Sequence, residues 1–128
     1  MVRERTSPKV AAFLQSIDHN SVYISVMTTG EIWKGIASLA PSRRRQELEF
    51  WFERDVRARF AGRILPVTER IAEKWSVLTV EAKQRGTPLS VVDGSIAATA
   101  LEHNLTLVTR NTKDFSGLGI RLINPWET

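Results

Sequence analysis

An α/β fold on a mainly parallel sheet is what this sequence predicts, from three observations. Short β-branched runs alternate with longer stretches of helical periodicity. Strands separated in this way are joined by crossovers, which imply parallel pairing with helices packed on the sheet. The alternation runs through all 128 residues without a repeat, a low-complexity tract or a linker, so residues 1–128 read as one domain.

Each element follows from its own pattern. A first helix starts at Ser7, with Pro8 in its first turn, and turns Val10, Phe13, Leu14 and Ile17 inward. "SVYISV" (21–26) reads as a buried strand, and "TTGEIWKGIASL" (28–39) as a helix that Pro41 breaks. The next helix, 42–61, sets Leu48, Trp51, Phe52, Val56 and Phe60 on one stripe. "RILPV" (63–67) is a second strand, and its Pro66 marks an edge or an end. A helix from Thr68 to Arg85 turns Ile71, Ala72, Trp75, Leu78 and Ala82 inward, and "GTP" (86–88) stops it. "SVVDGSIAATA" opens a small-residue helix at 91–103. "LTLVT" (105–109) is a third strand and "GIRLIN" (119–124) a short last one.

Composition removes several function classes. With 42% hydrophobic and 25% charged residues, the chain has globular proportions. It has no cysteine, so disulfides and thiolate zinc sites are excluded. No apolar run approaches the roughly 18 residues of a membrane span, and the N-terminus lacks a signal core. A cytoplasmic location is the resulting expectation. No phosphate-cradling glycine motif occurs. His19 and His103 fall near turns or helix ends and make no metal pair. The net charge of +4 suits a phosphate-bearing partner. The densest basic run, Arg43 to Arg45, reads either as a solvated helix start or as an RNA-contacting patch.

The chemistry-bearing signal lies at the strand ends, where parallel α/β folds place their sites. Three times a cap residue is followed, three positions on, by an acid: Thr28 and Glu31, Ser90 and Asp93, Asn111 and Asp114. Any one of these is also a capping box, and an acid in a first turn gains about 0.3–1 kcal/mol from the helix dipole. Three carboxylates on one sheet rim would repel. At about 5 Å and an effective dielectric near 20, each pair costs about 3 kcal/mol. A divalent cation offsets that cost, and hard oxygen ligands select Mg²⁺ or Mn²⁺. Phosphodiester hydrolysis is chemistry that such an ion supports.

The stretches "SVYISVMTTGEIWKGI", "RILPVTERIAEKW" and "GTPLSVVDGSIAATALEHNLTLVTRNTKDFSGLGIRLINPWE" cover nearly the whole chain. With them the sequence resembles the PIN-domain ribonucleases of the VapC toxin type, FitB-like subgroup. The resemblance implies a three-layer α/β/α sandwich and a Mg²⁺- or Mn²⁺-dependent endoribonuclease. It also implies a VapB-like antitoxin that blocks the site, and a homodimer or toxin–antitoxin hetero-oligomer. On it, Glu31, Asp93 and Asp114 become metal ligands, with Asn111 in the same catalytic region. Lys34, Arg110 and Lys113 are candidates to guide the RNA backbone.

One departure bears on all of this. The resemblance implies a first, central strand ending in an Asp-Thr-Asn type motif, between "VYISV" and "LTLVT". No such motif occurs in the sequence. The expectation is therefore a sheet without its central strand and a site short of one acid. Either the start lies upstream and Met1 is an internal methionine, or the chain is a truncated remnant. The second alternative leaves a catalytically inactive module that binds only an antitoxin or a second copy.

Overall fold

The computed structural model describes Lys9, Ala12 and residues 15–126. The helix expected from Ser7 falls largely outside the described residues, as do the placements of Val10, Phe13 and Leu14. From residue 19 the elements alternate as expected: β1 (Ile24–Ser25), α1 (Val26–Ala37), α2 (Arg43–Trp51), β2 (Ile64–Leu65), α3 (Glu69–Gln84), α4 (Val91–Glu102), β3 (Leu107–Val108), α5 (Thr112–Phe115) and β4 (Leu122–Ile123).

The strands are shorter than their β-branched runs, and local side-chain bonds explain the first of them. Asp18 Oδ1 accepts from the Asn20 N–H at 2.9 Å, and Ser21 Oγ donates to the Asp18 carbonyl at 2.6 Å. Those bonds hold His19–Ser21 in a 3₁₀ turn instead of a strand. At the other end Ser25 caps α1, its Oγ accepting from the Met27 N–H at 3.0 Å. The helix thus begins at Val26, two residues before the expected Thr28.

Caps bound the other helices. Ser42, Thr68 and Ser90 each accept a backbone N–H three residues on, at 3.1, 3.2 and 3.0 Å. The end of α3 is a Schellman motif. Gly86, at φ +77°, donates to the Lys83 carbonyl at 3.0 Å, and Thr87 to that of Ala82 at 2.9 Å. The same closure ends α4, with Asn104 at φ 53° in the left-handed position. Helix α2 continues through a π-helical segment, Phe52–Arg57. Its inward residues, Leu48, Phe52 and Val56, repeat every four positions. On a regular α-helix that spacing drifts by about 40° per step, and a widened turn offsets the drift. Along α3 the inward stripe is Ile71, Leu78 and Ala82, with Trp75 half-buried. Ala72, expected inward, is exposed.

Both strand pairings are parallel, as the crossovers require: β1 with β2, and β3 with β4. Among the described residues they form two separate two-stranded sheets instead of one. The core divides with them. Ile36, Phe52 and Val56 form one buried cluster, with Ile24 against it. Ile71, Leu78, Ala97, Ala98, Phe115 and Leu118 form the other, with Leu107 and Leu122 against it. Within the second cluster α3 and α4 approach closely because α4 is built from small residues. A Cβ on Gly94 would stand 2.9 Å from Trp75 Cδ1.

Candidate acidic site at the strand ends

Each expected acid follows a different local route to the surface. Because Ser25 caps α1, Thr28 lies inside the helix and Glu31 reaches the second turn, exposed. No capping box forms there. At α4 the expected cap is present: the Asp93 N–H donates to Ser90 Oγ at 3.0 Å. The Asp93 carboxylate makes no bond back to Ser90. Among the described residues it has no hydrogen-bond or ion-pair partner, although it is half-buried. Glu102, at the far end of the same helix, is paired with Arg70 at 3.0 Å and Lys74 at 3.6 Å. After β3, Thr109 Oγ1 accepts from the Asn111 N–H at 3.1 Å. The Asn111 side chain caps nothing, and α5 is a single turn that leaves Lys113 and Asp114 exposed.

The helices that carry two of the acids line one cavity. A space of about 450 Å³ opens between β1 and β3, and Thr28 of α1 and Ile96 of α4 both line it. Glu31 lies three residues after Thr28, and Asp93 three before Ile96. Residues three apart share a helix face, but neither carboxylate is itself part of the lining. Asp114 is not part of it either. Among the described residues no group of three His, Asp or Glu side chains is placed to hold a cation. The early start of α1 moves Glu31 one turn along its helix, and the single-turn α5 leaves Asp114 out in solvent.

Of the basic candidates, Arg110 lies nearest a strand end, and Lys34 lies in the last turn of α1. Arg110 follows β3 and stacks over the Trp126 ring at 5.4 Å. Its carbonyl accepts from Asn124 Nδ2 at 3.2 Å, and Asn124 Oδ1 accepts from the Trp126 N–H at 2.9 Å. Asn124 and Trp126 thus brace the loop that carries Arg110, a role that the sequence reading missed. The signal available was "NP" directly after a strand, a turn-initiating pair. Lys34 and Lys113 are exposed. The Arg43–Arg45 run reads as a helix start. Arg43 pairs with Glu47 at 3.8 Å, Arg45 with Glu49 at 3.0 Å, and Arg45 also donates to the Leu39 carbonyl at 2.9 Å. His19 and His103 lie in a 3₁₀ turn and at a helix C-cap, away from the cavity lining.

These donors suit one kind of cation site. They are hard oxygens, and Asp93 is a half-buried carboxylate with no partner among the described residues. Magnesium is commonly held by one or two carboxylates, with water completing the shell. The arrangement fits that type of site and does not fit an all-protein cage. No helix among the described residues is long and apolar enough to cross a membrane.

Comparison with known proteins agrees with this architecture over most of the chain. The PIN domain profile matches residues 1–119. Toxin FitB of Neisseria gonorrhoeae is 35% identical over 125 residues, covering 98% of this chain and 90% of the relative. VapC ribonuclease Y4jK of Sinorhizobium fredii is 33% identical over 118 residues, covering 92% and 84%. The crystal structure of FitAcB from Neisseria gonorrhoeae superposes with a TM-score of 0.88 at 35% identity, covering 95% of this chain and 88% of that one. The parallel strand pairs, the packed helices and the extent of these matches lead to one conclusion: this chain belongs to the PIN domain family.

Proposed function

We propose that this protein is the toxin of a type II toxin–antitoxin pair and a Mg²⁺-dependent endoribonuclease, with Mn²⁺ as an alternative ion. The observation that carries this reading is Asp93. It is half-buried at the start of α4, lacks a partner among the described residues, and lies on a helix that lines the same cavity as the helix of Glu31. Its neighbour acid and the surrounding cations divide the remaining work. Asp93 and Glu31 would hold the ion, with Asp114 and Asn111 reaching it through water. A bound divalent ion would supply an acidified water and neutralise charge on the phosphate. Arg110, braced on Trp126, would meet a backbone phosphate, with Lys34 and Lys113 adding exposed charge. Unpaired RNA is the favoured substrate form, because its backbone is accessible. The kinship to FitB and to a VapC ribonuclease supports the toxin role, a cognate antitoxin and a cytoplasmic site of action.

The test is cleavage of single-stranded RNA with Mg²⁺, compared with Mn²⁺ and with EDTA. Asp93→Asn is expected to lower the rate roughly a hundredfold, a loss of the size that metal-site substitutions produce. Its melting temperature should stay near that of the parent. An unchanged cleavage rate in Asp93→Asn would remove Asp93 from the site, and metal-independent cleavage would remove the ion.

A further inference from the structure

Four arginines lie over aromatic rings among the described residues, and Arg110 differs from the other three. Arg54 and Arg57 are also ion-paired, with Asp55 and Glu53. Arg63 donates to the carbonyls of His19, Val22 and Arg59. The Arg110 guanidinium has no hydrogen-bond or ion-pair partner among the described residues, Asp114 included. Its N–H donors are therefore open to a ligand, while its Cζ stands over the Trp126 ring, 5.4 Å from the centroid. Trp126 is unusual in its turn. It is 36% exposed, although a tryptophan gains more from burial than almost any other side chain. Local structure fixes it there. Pro125, directly before it, is fully buried, and the Trp126 N–H donates to Asn124 Oδ1 at 2.9 Å. Asn124 Nδ2 donates to the Arg110 carbonyl at 3.2 Å, so the loop and the ring form one braced unit. β3 and β4 run parallel, so Arg110, just after one, and Trp126, just after the other, emerge at the same end.

We propose that Arg110 and Trp126 form a clamp for one unpaired nucleotide of RNA: the guanidinium takes a backbone phosphate and the indole stacks on the base. The assignment rests on the reading of this chain as an RNA-cutting enzyme, and it names the feature of the substrate that these two residues hold. A guanidinium with open donors matches the paired oxygens of a phosphate, which it meets as a planar fork. An exposed indole beside it matches the π-face of a base, and stacking on aromatic rings is how single-stranded bases are held. A carboxylate alone engages the guanidinium and leaves the ring open, and an apolar group alone does the reverse. A nucleotide uses both. In a duplex the bases stack on one another and offer the ring no face. The clamp therefore selects unpaired strands and tolerates any sequence. Lys113, exposed in the next turn, adds charge directed at the backbone.

The experiment is a binding cycle in EDTA, where no metal-dependent cleavage occurs. The 128-residue chain is titrated with oligoadenylate of about eight nucleotides, a length within the usual range of single-strand sites. The second probe is an abasic ribose-phosphate chain of the same length. Trp126→Leu should weaken oligoadenylate binding roughly 5- to 150-fold, the size of one lost stack, and leave binding of the abasic chain unchanged. Trp126→Phe should retain most of the affinity. Arg110→Ala should weaken both probes and lower the salt slope of binding by about 0.7, as one lost phosphate contact does on a single strand. If Trp126→Leu does not fold, the parent chain decides alone: it must bind oligoadenylate more tightly than the abasic chain by the same factor. Three results overturn the proposal: no binding of oligoadenylate, no preference for it over the abasic chain, or an equal loss on both probes in Trp126→Leu, which would make the ring only a brace for Arg110. Cleavage with Mg²⁺ is scored separately. An intact binding cycle without cleavage sinks the nuclease reading, and cleavage without the cycle sinks the clamp.

Discussion

Single residues carry most of what is specific about this chain. Asp93 has its backbone N–H in a cap and its carboxylate free of partners among the described residues, so one residue serves a helix start and a candidate site together. Gly94, beside it, is needed for a different reason. A methyl group there would meet the Trp75 ring at 2.9–3.0 Å, closer than carbon atoms pack. Gly94→Ala is expected to destabilise the fold by about 1–3 kcal/mol through overpacking, read from urea unfolding. A gain in stability would show that the ring has room to move. Arg63 ties two segments together. Its Nη1 donates to the carbonyls of His19 and Val22 at 2.7 Å, and its Nη2 to that of Arg59 at 2.6 Å. Arg63→Ala should cost about 1–3 kcal/mol, and lysine should recover only part, because one ammonium cannot reproduce the planar fork.

At the scale of elements, caps set the boundaries that matter for the site. Ser25 starts α1 early and so decides where Glu31 stands. Ser90 starts α4 and holds the Asp93 backbone in place. Ser90→Ala is expected to cost about 1 kcal/mol, with faster amide exchange confined to the first turn of α4. Global loss of protection would mean that Ser90 does more than cap. The run at 42–61 shows what a hydrophobic stripe can and cannot convey. Its inward residues were legible, since Phe52 and Val56 are buried and Leu48, Trp51 and Phe60 half-buried. The π-helical stretch was not, because a four-residue repeat is compatible with either winding until packing selects one.

At the scale of the whole molecule, the core of the described residues is two clusters drawn from different helices. One lies against β1 and β2, the other against β3 and β4. Each should therefore open as its own unit below global unfolding. Phe52→Ala, which empties the first core, is expected to cost about 3–5 kcal/mol and to raise exchange in α1 and α2 first. Amides of α3 and α4 should keep their protection at intermediate urea. Loss of both sets at the same urea concentration would show one cooperative core instead.

The sequence by itself determined the element order and the parallel pairing. Those properties are local. β-branched runs, a 3.6-residue period and cap residues act within a few positions, and crossovers leave parallel pairing as the available option. Glu31 and Asp93 were visible as acids just inside helices that line a strand end. Only the tertiary structure decided how far each of the three acids is exposed. It left Glu31 and Asp114 exposed and Asp93 half-buried, put Asn124 and Trp126 behind Arg110, and paired the strands among the described residues as two separate sheets. The physical reason is that convergence depends on where each helix begins and how closely its neighbours pack. A serine hydroxyl moved α1 by two residues, and a glycine let α3 and α4 touch. Shifts of that size lie below the resolution of any periodicity, yet they set where along its helix each carboxylate stands.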